Sequence, residues 1–216
     1  MIALFAHPFS SYSQKALIAL YAKGVPFDYR SLDDDGSNYA ALKALWPLAK
    51  FPLLTEGDTT VFEATAIIEY LDAAHPGARL IPADPAAAVP VRMLDRVFDN
   101  YVMTPMQWLV NDALRAPETR APQTVVEARA LLDRSYAWLD ARLAGQAWAA
   151  GGGFSLADCA AAPALLYADW AHPIPAGLGT LRAYRDRLGA HPAVARAVDE
   201  ARPYRHLFPL SAAVPG

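Results

Sequence analysis

A proline-rich stretch divides this chain of 216 residues into two parts with different periodicities, and no other feature limits its fold as tightly. Between His75 and Pro90 the pattern dissolves into Pro76, Gly77, Pro82, Pro85 and Pro90 among small residues, a composition that favours linker over helix or strand. Before it, strand-like runs alternate with runs of helical period. After it, only helical period remains. Two units are expected, residues 1–78 and 90–216, joined by a linker over 79–89.

In the first unit, residues 2–6 are a short apolar run suited to a strand buried on both faces. Over 13–23, Leu17, Leu20 and Tyr21 stand at helical spacing, and Gly24 stops the helix. Residues 25–30 alternate apolar and polar side chains, and 38–45 suit a short helix closed by Trp46-Pro47. Runs at 51–54 and 60–62 flank a turn containing Gly57, which reads as a hairpin. Ala64, Ile67, Ile68 and Leu71 then line one face of a helix over 63–73. The order β-α-β-α-β-β-α implies a mixed sheet. Beyond the linker, apolar periodicity at 91–102, 125–143, 156–171, 178–188 and 192–201 predicts an all-helical bundle. The fold class is therefore α/β plus all-α. A unit of about 80 residues is marginal alone, so the first should dock on the second.

Composition removes several functions. Lys plus Arg number 19 against 22 Asp plus Glu, a net charge of −3, so no global positive field holds a nucleic-acid backbone or an anionic membrane surface. The single cysteine, Cys159, allows neither an intrachain disulfide nor a zinc site of several thiolates. No two of the five histidines stand at the spacing that places both on one helix face as metal ligands, so no metal is expected. The N-terminal apolar run is too short for a signal-peptide core, and the longest uncharged apolar stretch, 159–168, is too short for a bilayer span. A soluble cytoplasmic protein is the expectation.

Three places stand out from the periodic background. Ser10-Ser11-Tyr12-Ser13 precedes the first helix, where a serine is either an ordinary N-cap or, with the free N–H groups and the helix dipole, part of an anion site. In Lys50-Phe51-Pro52-Leu53 the proline opens a strand or sits at a special position, and a cis bond there would turn the Phe51 backbone outward toward an extended ligand. In Phe62-Glu63-Ala64-Thr65, Glu63 either compensates the dipole of the next helix or accepts from a ligand ammonium.

In this order and on these elements, the three resemble the glutathione S-transferase family, in a serine-type class of bacterial, zeta-like or tau-like kind. Phe154-Ser155-Leu156-Ala157-Asp158 adds to the likeness, because Asp158 stands where a capping box would return a carboxylate to the Ser155 N–H. The resemblance covers the whole chain. It implies a thioredoxin-like first domain with a cis-proline, a helical second domain, a homodimer, and glutathione as co-substrate.

Residue by residue, the resemblance gives Ser10 the role of stabilising the glutathione thiolate, with Ser11, Tyr12 and Lys15 following and Ser11 as the alternative hydroxyl. Phe5 stands where tyrosine-type relatives carry their tyrosine. Phe51 before Pro52 would pair with the cysteinyl backbone, Lys50 would meet the glycine carboxylate, and Glu63 would hold the γ-glutamyl end. Ala64 replaces the usual serine at the γ-glutamyl carboxylate, losing one hydrogen bond to a charged group, worth roughly 1.5–3 kcal/mol; Thr65 is a possible compensator. The electrophile would lie against Tyr101, Met103, Met106 and Trp108, the C-terminal run 202–209 would fold back near the site, and Asp99 is a candidate for a carboxylate lent to a partner subunit. The implied activity is transfer of an alkyl or aryl group to the glutathione sulfur in detoxification. The alternatives are a glutathione-dependent isomerase or dehalogenase of the same fold and a non-catalytic binding or regulatory protein.

Overall fold

The structure, a computed structural model, describes residues 1–150 and 152–210. Strand β1 (Ile2–Ala6), helix α1 (Ser11–Lys23), β2 (Phe27–Ser31), α2 (Ser37–Leu45), β3 (Leu53–Glu56), β4 (Thr59–Phe62) and α3 (Ala64–Ala74) follow in the expected order. The sheet order is β2-β1-β3-β4, with β1 parallel to β2 and antiparallel to β3. This is the mixed sheet of a thioredoxin-like unit. Because successive strand side chains point to opposite faces, Ile2, Leu4 and Ala6 enter the main core with α1 and α3, while Phe5 packs with Leu42 and Leu53 on the other face. Gly24 ends α1 at φ +66, a conformation that favours glycine, and the Val25 N–H bonds the Leu20 carbonyl at 3.1 Å.

Among the described residues, all regular structure after α3 is helical: α4 (Pro85–Val97), α5 (Thr104–Ala113), α6 (Pro122–Arg142), α7 (Leu156–Ala171), α8 (Gly179–Ala190) and α9 (Pro192–Ala201), then a 3-10 turn, Arg202–Leu207. Residues 85–89, expected in the linker, belong to α4. Pro85 occupies the first turn, where no N–H is needed, and the Asp84 carboxylate caps the helix by accepting from the Ala87 N–H at 2.9 Å. The irregular stretch before it is pinned from both sides. Lys23 Nζ donates to Asp72 at 2.8 Å, and the same carboxylate accepts from the N–H groups of Leu80 and Ile81 at 2.9 and 2.7 Å.

Between α4 and α5 the chain does not break but widens into a π-helical turn, Phe98–Met103, in which the Thr104 N–H reaches the Asp99 carbonyl. Pro105 explains it. In a regular helix its ring would collide with the Tyr101 carbonyl and its missing N–H would leave that carbonyl unpaired. No helix among the described residues is long and apolar enough to cross a membrane.

Helix α7 is buried along almost its whole length and packs against α1 and α4. Asp158 makes that possible. Fully buried, it accepts from the Ser155 N–H at 2.9 Å, the Ser155 hydroxyl at 2.8 Å, the Ala149 N–H at 2.9 Å and the Tyr184 hydroxyl at 2.6 Å. The Asp158→Ala change orphans several buried donors at once, each worth about 1–3 kcal/mol. We expect a loss of at least about 3 kcal/mol in denaturant unfolding; a loss below about 1 kcal/mol would show that the network relaxes without it.

Candidate active site

A cleft of about 810 Å³ opens between the edge of the sheet unit and the helical unit. Its floor is the N-terminus of α1. Ser10 is the N-cap: its hydroxyl accepts from the Ser13 N–H at 3.3 Å while its carbonyl accepts from Gln14 N–H at 2.8 Å. A serine hydroxyl carries one donor and two acceptor sites, so the cap bond leaves the Ser10 O–H free to donate into the cleft. Ser11 lies beside it, and the N–H groups of Ser11 and Tyr12 have no partner among the described residues. The floor therefore presents two hydroxyls, two free N–H groups and the positive end of a helix.

The loop that carries Ser10 is braced from the helical unit. Buried Gln14 donates through Nε2 to the Pro8 carbonyl at 3.0 Å and to the Tyr167 hydroxyl at 2.9 Å, and Tyr167 in turn donates to the Phe9 carbonyl at 2.9 Å. Gln14 and Tyr167 escape a reading of the sequence because each looks like one more helix residue. Only the fold brings them together.

The walls come from three further places. Lys50, Phe51 and Pro52 form one, and the Phe51-Pro52 peptide is cis. Glu63 and Ala64 form the second: Glu63 has φ +72, in the left-handed region that favours glycine, and its exposed carboxylate has no partner among the described residues. The third is helical, with Met106, Gln107, Val110, Asn111 and Leu114 facing Leu207, Phe208 and Pro209 of the returning C-terminal run. Trp46 stacks on Phe62 with centroids 4.1 Å apart at the rim.

Beneath the cleft lies a charged cluster that sequence reading did not foresee. Lys15, 1% exposed, projects from α1 between Asp95 of α4 and Asp99 of the π turn, with Nζ 2.5 Å from Asp95 Oδ1 and 2.7 Å from Asp99 Oδ2. The Thr65 hydroxyl accepts from Lys15 at 2.9 Å and donates to Asp95 at 3.0 Å. Arg96 closes the cluster from the solvent side. Burial pushes the Asp99 carboxyl above its ordinary pKa, with Lys15 opposing. The Tyr12 hydroxyl, in the cleft, is pushed up to about 12 by desolvation and then by Asp99, so it stays a proton donor at neutral pH.

Of the residues singled out in the sequence, Ser10, Ser11, Lys50, Phe51, Pro52, Glu63 and Ala64 line this one cleft. Thr65 does not: its hydroxyl serves the buried cluster, so it cannot substitute for the hydroxyl missing at Ala64. Met106 lines the cleft, whereas Tyr101, Met103 and Trp108 do not; Tyr101 belongs to a separate small hollow with Trp138. Asp99 is committed to Lys15 and Arg96 of its own chain. Cys159 is fully buried and its thiol pKa is pushed well above the ordinary value by that burial, so it is no nucleophile. Among the described residues no group of three or more histidine, cysteine or acidic side chains is arranged to hold a metal.

Comparison with known proteins gives a consistent result. The family described as "Glutathione S-transferase, N-terminal domain" matches residues 4–79, and "Glutathione S-transferase, C-terminal domain" matches 112–200. A stringent starvation protein A homolog of Coxiella burnetii is 28% identical over 166 residues, covering 76% of this chain and 75% of the relative. A probable maleylacetoacetate isomerase of Caenorhabditis elegans is 36% identical over 83 residues, covering 38% of this chain and 39% of the relative. Among solved structures, a glutathione S-transferase of Methylobacterium radiotolerans in complex with glutathione sulfonate aligns with a TM-score of 0.78 at 25% identity, covering 91% of this chain and 94% of the other.

The buried cluster yields a pH-dependent prediction. Folded Asp99 holds its proton more tightly than unfolded Asp99, so its contribution to stability falls as pH rises from the unfolded value of 3.8 through the folded one. Lys15→Met removes the ammonium, raises the folded value further and widens that window. The variant should lose about 3–5 kcal/mol near pH 8 and distinctly less near pH 5, read from denaturation midpoints at the two pH values. A loss that does not change with pH would contradict the assignment.

Proposed function

The chain belongs to the glutathione S-transferase family, and we propose that it binds glutathione in this cleft and activates its thiol for attack on an uncharged, largely apolar electrophile. The observation that carries the reading is the free Ser10 O–H at the N-terminus of α1, in the same cleft as Glu63 and the cis Phe51-Pro52 backbone. A γ-glutamyl ammonium fits Glu63, a cysteinyl backbone fits Phe51, and a glycine carboxylate fits Lys50. These contacts would bring the sulfur over Ser10 and Ser11. The Methylobacterium radiotolerans relative, solved in complex with glutathione sulfonate, supports glutathione as the class of ligand.

The α1 end supplies what a thiolate needs. A free thiol has a pKa near 8.5 and is mostly protonated at neutral pH, while helix N-termini and nearby donors lower thiol values to roughly 3.5–7.5. Ser10 donates one hydrogen bond, the unpartnered N–H groups of Ser11 and Tyr12 add positive field, and no acidic side chain stands in the first turn to oppose them. The sulfur must arrive with the ligand, since Cys159 is sealed in α7.

The opposite wall chooses the electrophile. Met106, Val110, Leu114, Leu207 and Phe208 are apolar, and Gln107 and Asn111 add neutral amides. The cations lining the cleft are Lys50 and Arg96, which flank the proposed glutathione contacts. Apart from Arg96, which stands beside Glu63 and Ala64, a dienoic or halo-acid would meet no cation among the described residues of the helical wall, which favours transfer to an uncharged acceptor over the isomerase and dehalogenase readings. Ala64 keeps a non-catalytic, glutathione-binding role as the second reading. For the partner we propose a second copy of the chain: Val89, Met93 and Tyr101 are exposed along one stripe of α4 and its π turn, which suits a homodimer.

Ser10→Ala would confound two losses, because the cap itself is worth about 1 kcal/mol. Glycine is tolerated at an N-cap at a cost of a few tenths, so Ser10→Gly removes the hydroxyl with little effect on the helix. Retention on immobilised glutathione and conjugation of a chlorodinitrobenzene-type substrate are expected of the unsubstituted protein. Ser10→Gly should lower kcat/KM roughly 10- to 100-fold with an almost unchanged melting temperature. Full activity in that variant would remove Ser10 from its role, and the same assay on Ser11→Ala would then test the neighbour. Failure of the unsubstituted protein to bind glutathione at millimolar concentration would overturn the reading.

A further inference from the structure

The corner of the cleft beside Ala64 contains a guanidinium with spare hydrogen-bonding capacity. Arg96 Nε donates to Asp95 Oδ2 at 2.9 Å, and Nη2 donates to Asp95 Oδ2 and Asp99 Oδ2, each at 2.6 Å, as well as to the Thr65 hydroxyl. Nη1 has no partner among the described residues, the side chain is 49% exposed, and the residue lines the cleft with Glu63 and Ala64. Lys15 satisfies the same two carboxylates from the buried side. Two cations and two anions sum to zero, so the guanidinium is oriented in advance and its outward N–H groups are not consumed by the anchoring.

A γ-glutamyl group carries an ammonium and a carboxylate on one carbon, so its site needs an anion and a hydrogen-bonding cation a short distance apart. Glu63 is the anion. Glu63, Ala64 and Arg96 line the same cleft, and the Arg96 guanidinium donates to the hydroxyl of Thr65, two residues after Glu63. Ala64 offers its backbone N–H at the head of α3 but no hydroxyl.

Resting on the proposed binding of glutathione, we propose that Arg96 is a substrate-binding residue of this chain: its free Nη1 donates to the α-carboxylate of the γ-glutamyl group while Glu63 receives the α-ammonium. The guanidinium on α4 thus does what a side-chain hydroxyl at position 64 would otherwise do. Asp95, Asp99 and Thr65 act through it as positioning residues, which gives the buried cluster a task at the cleft surface.

The test pairs one ligand change with two substitutions. Calorimetric titration compares glutathione with γ-aminobutyryl-cysteinylglycine, which lacks only the α-carboxylate. The unsubstituted protein should bind the decarboxy peptide about 10- to 100-fold more weakly. Arg96→Gln should weaken glutathione by a similar factor and bind the two peptides nearly alike. Adding Ala64→Ser to Arg96→Gln should restore part of the discrimination, because a hydroxyl then meets the carboxylate. Undiminished discrimination in Arg96→Gln would overturn the proposal. So would equal binding of both peptides by the unsubstituted protein, a result that needs no variant to fold. Binding of neither peptide by the unsubstituted protein would overturn the glutathione reading itself and this proposal with it.

Discussion

A single buried ammonium holds the working parts of this molecule in register. Lys15 leaves α1 one turn after Ser10 and ends between Asp95 and Asp99, on the helix that opens the second unit, with the Thr65 hydroxyl of α3 beside it. The three elements that border the cleft floor therefore meet at one point. Burying charge is costly, and an apolar replacement of the same volume could match the stability. What the ion pair adds is specificity, since an ammonium between two carboxylates fixes position and orientation in a way that packed methyl groups do not. The cluster's outer member, Arg96, turns the same constraint toward the cleft.

The π turn is the second device, and it shares residues with the first. Asp99 lies within it, so the widened backbone that accommodates Pro105 also sets the aspartate that faces Lys15. Thr104 caps the arrangement by donating its hydroxyl to the Asp99 carbonyl at 2.9 Å. Tyr167 and Gln14 brace the Ser10 loop from the opposite side. The serine hydroxyls are thus carried on a loop fixed by buried polar contacts at both ends, a suitable basis for placing one donor against one sulfur.

Features set by local chemistry were legible in the sequence. The apolar run of β1, the αL stop at Gly24, the serine cap of α1 and the capping box of α7 depend on neighbours a few positions away. Their positions agree with the pattern to within a residue or two. The proline stretch misled at one end, because proline both breaks helices and begins them, and Pro85 does the latter. The helical wall was less legible. Tyr101, Met103, Met106 and Trp108 came from the resemblance and do not share one helical face; of the four only Met106 lines the cleft, beside Gln107, Val110 and Asn111, which recur at the spacing of one face of α5. Lys15 and Thr65 look like surface residues of two separate helices; no spacing within the chain could show that they share a hydrogen bond across 50 positions.

In the proposed complex the α1 N-terminus receives a sulfur while Glu63 and Arg96 hold the other end of the same ligand. A crystal structure of the unsubstituted protein soaked with glutathione tests both ends at once. It should show the sulfur within hydrogen-bonding distance of the Ser10 or Ser11 hydroxyl, with the γ-glutamyl carboxylate on Arg96 and the ammonium on Glu63. A tripeptide bound with its sulfur away from α1, or with its γ-glutamyl group elsewhere than between Glu63 and Arg96, would contradict it.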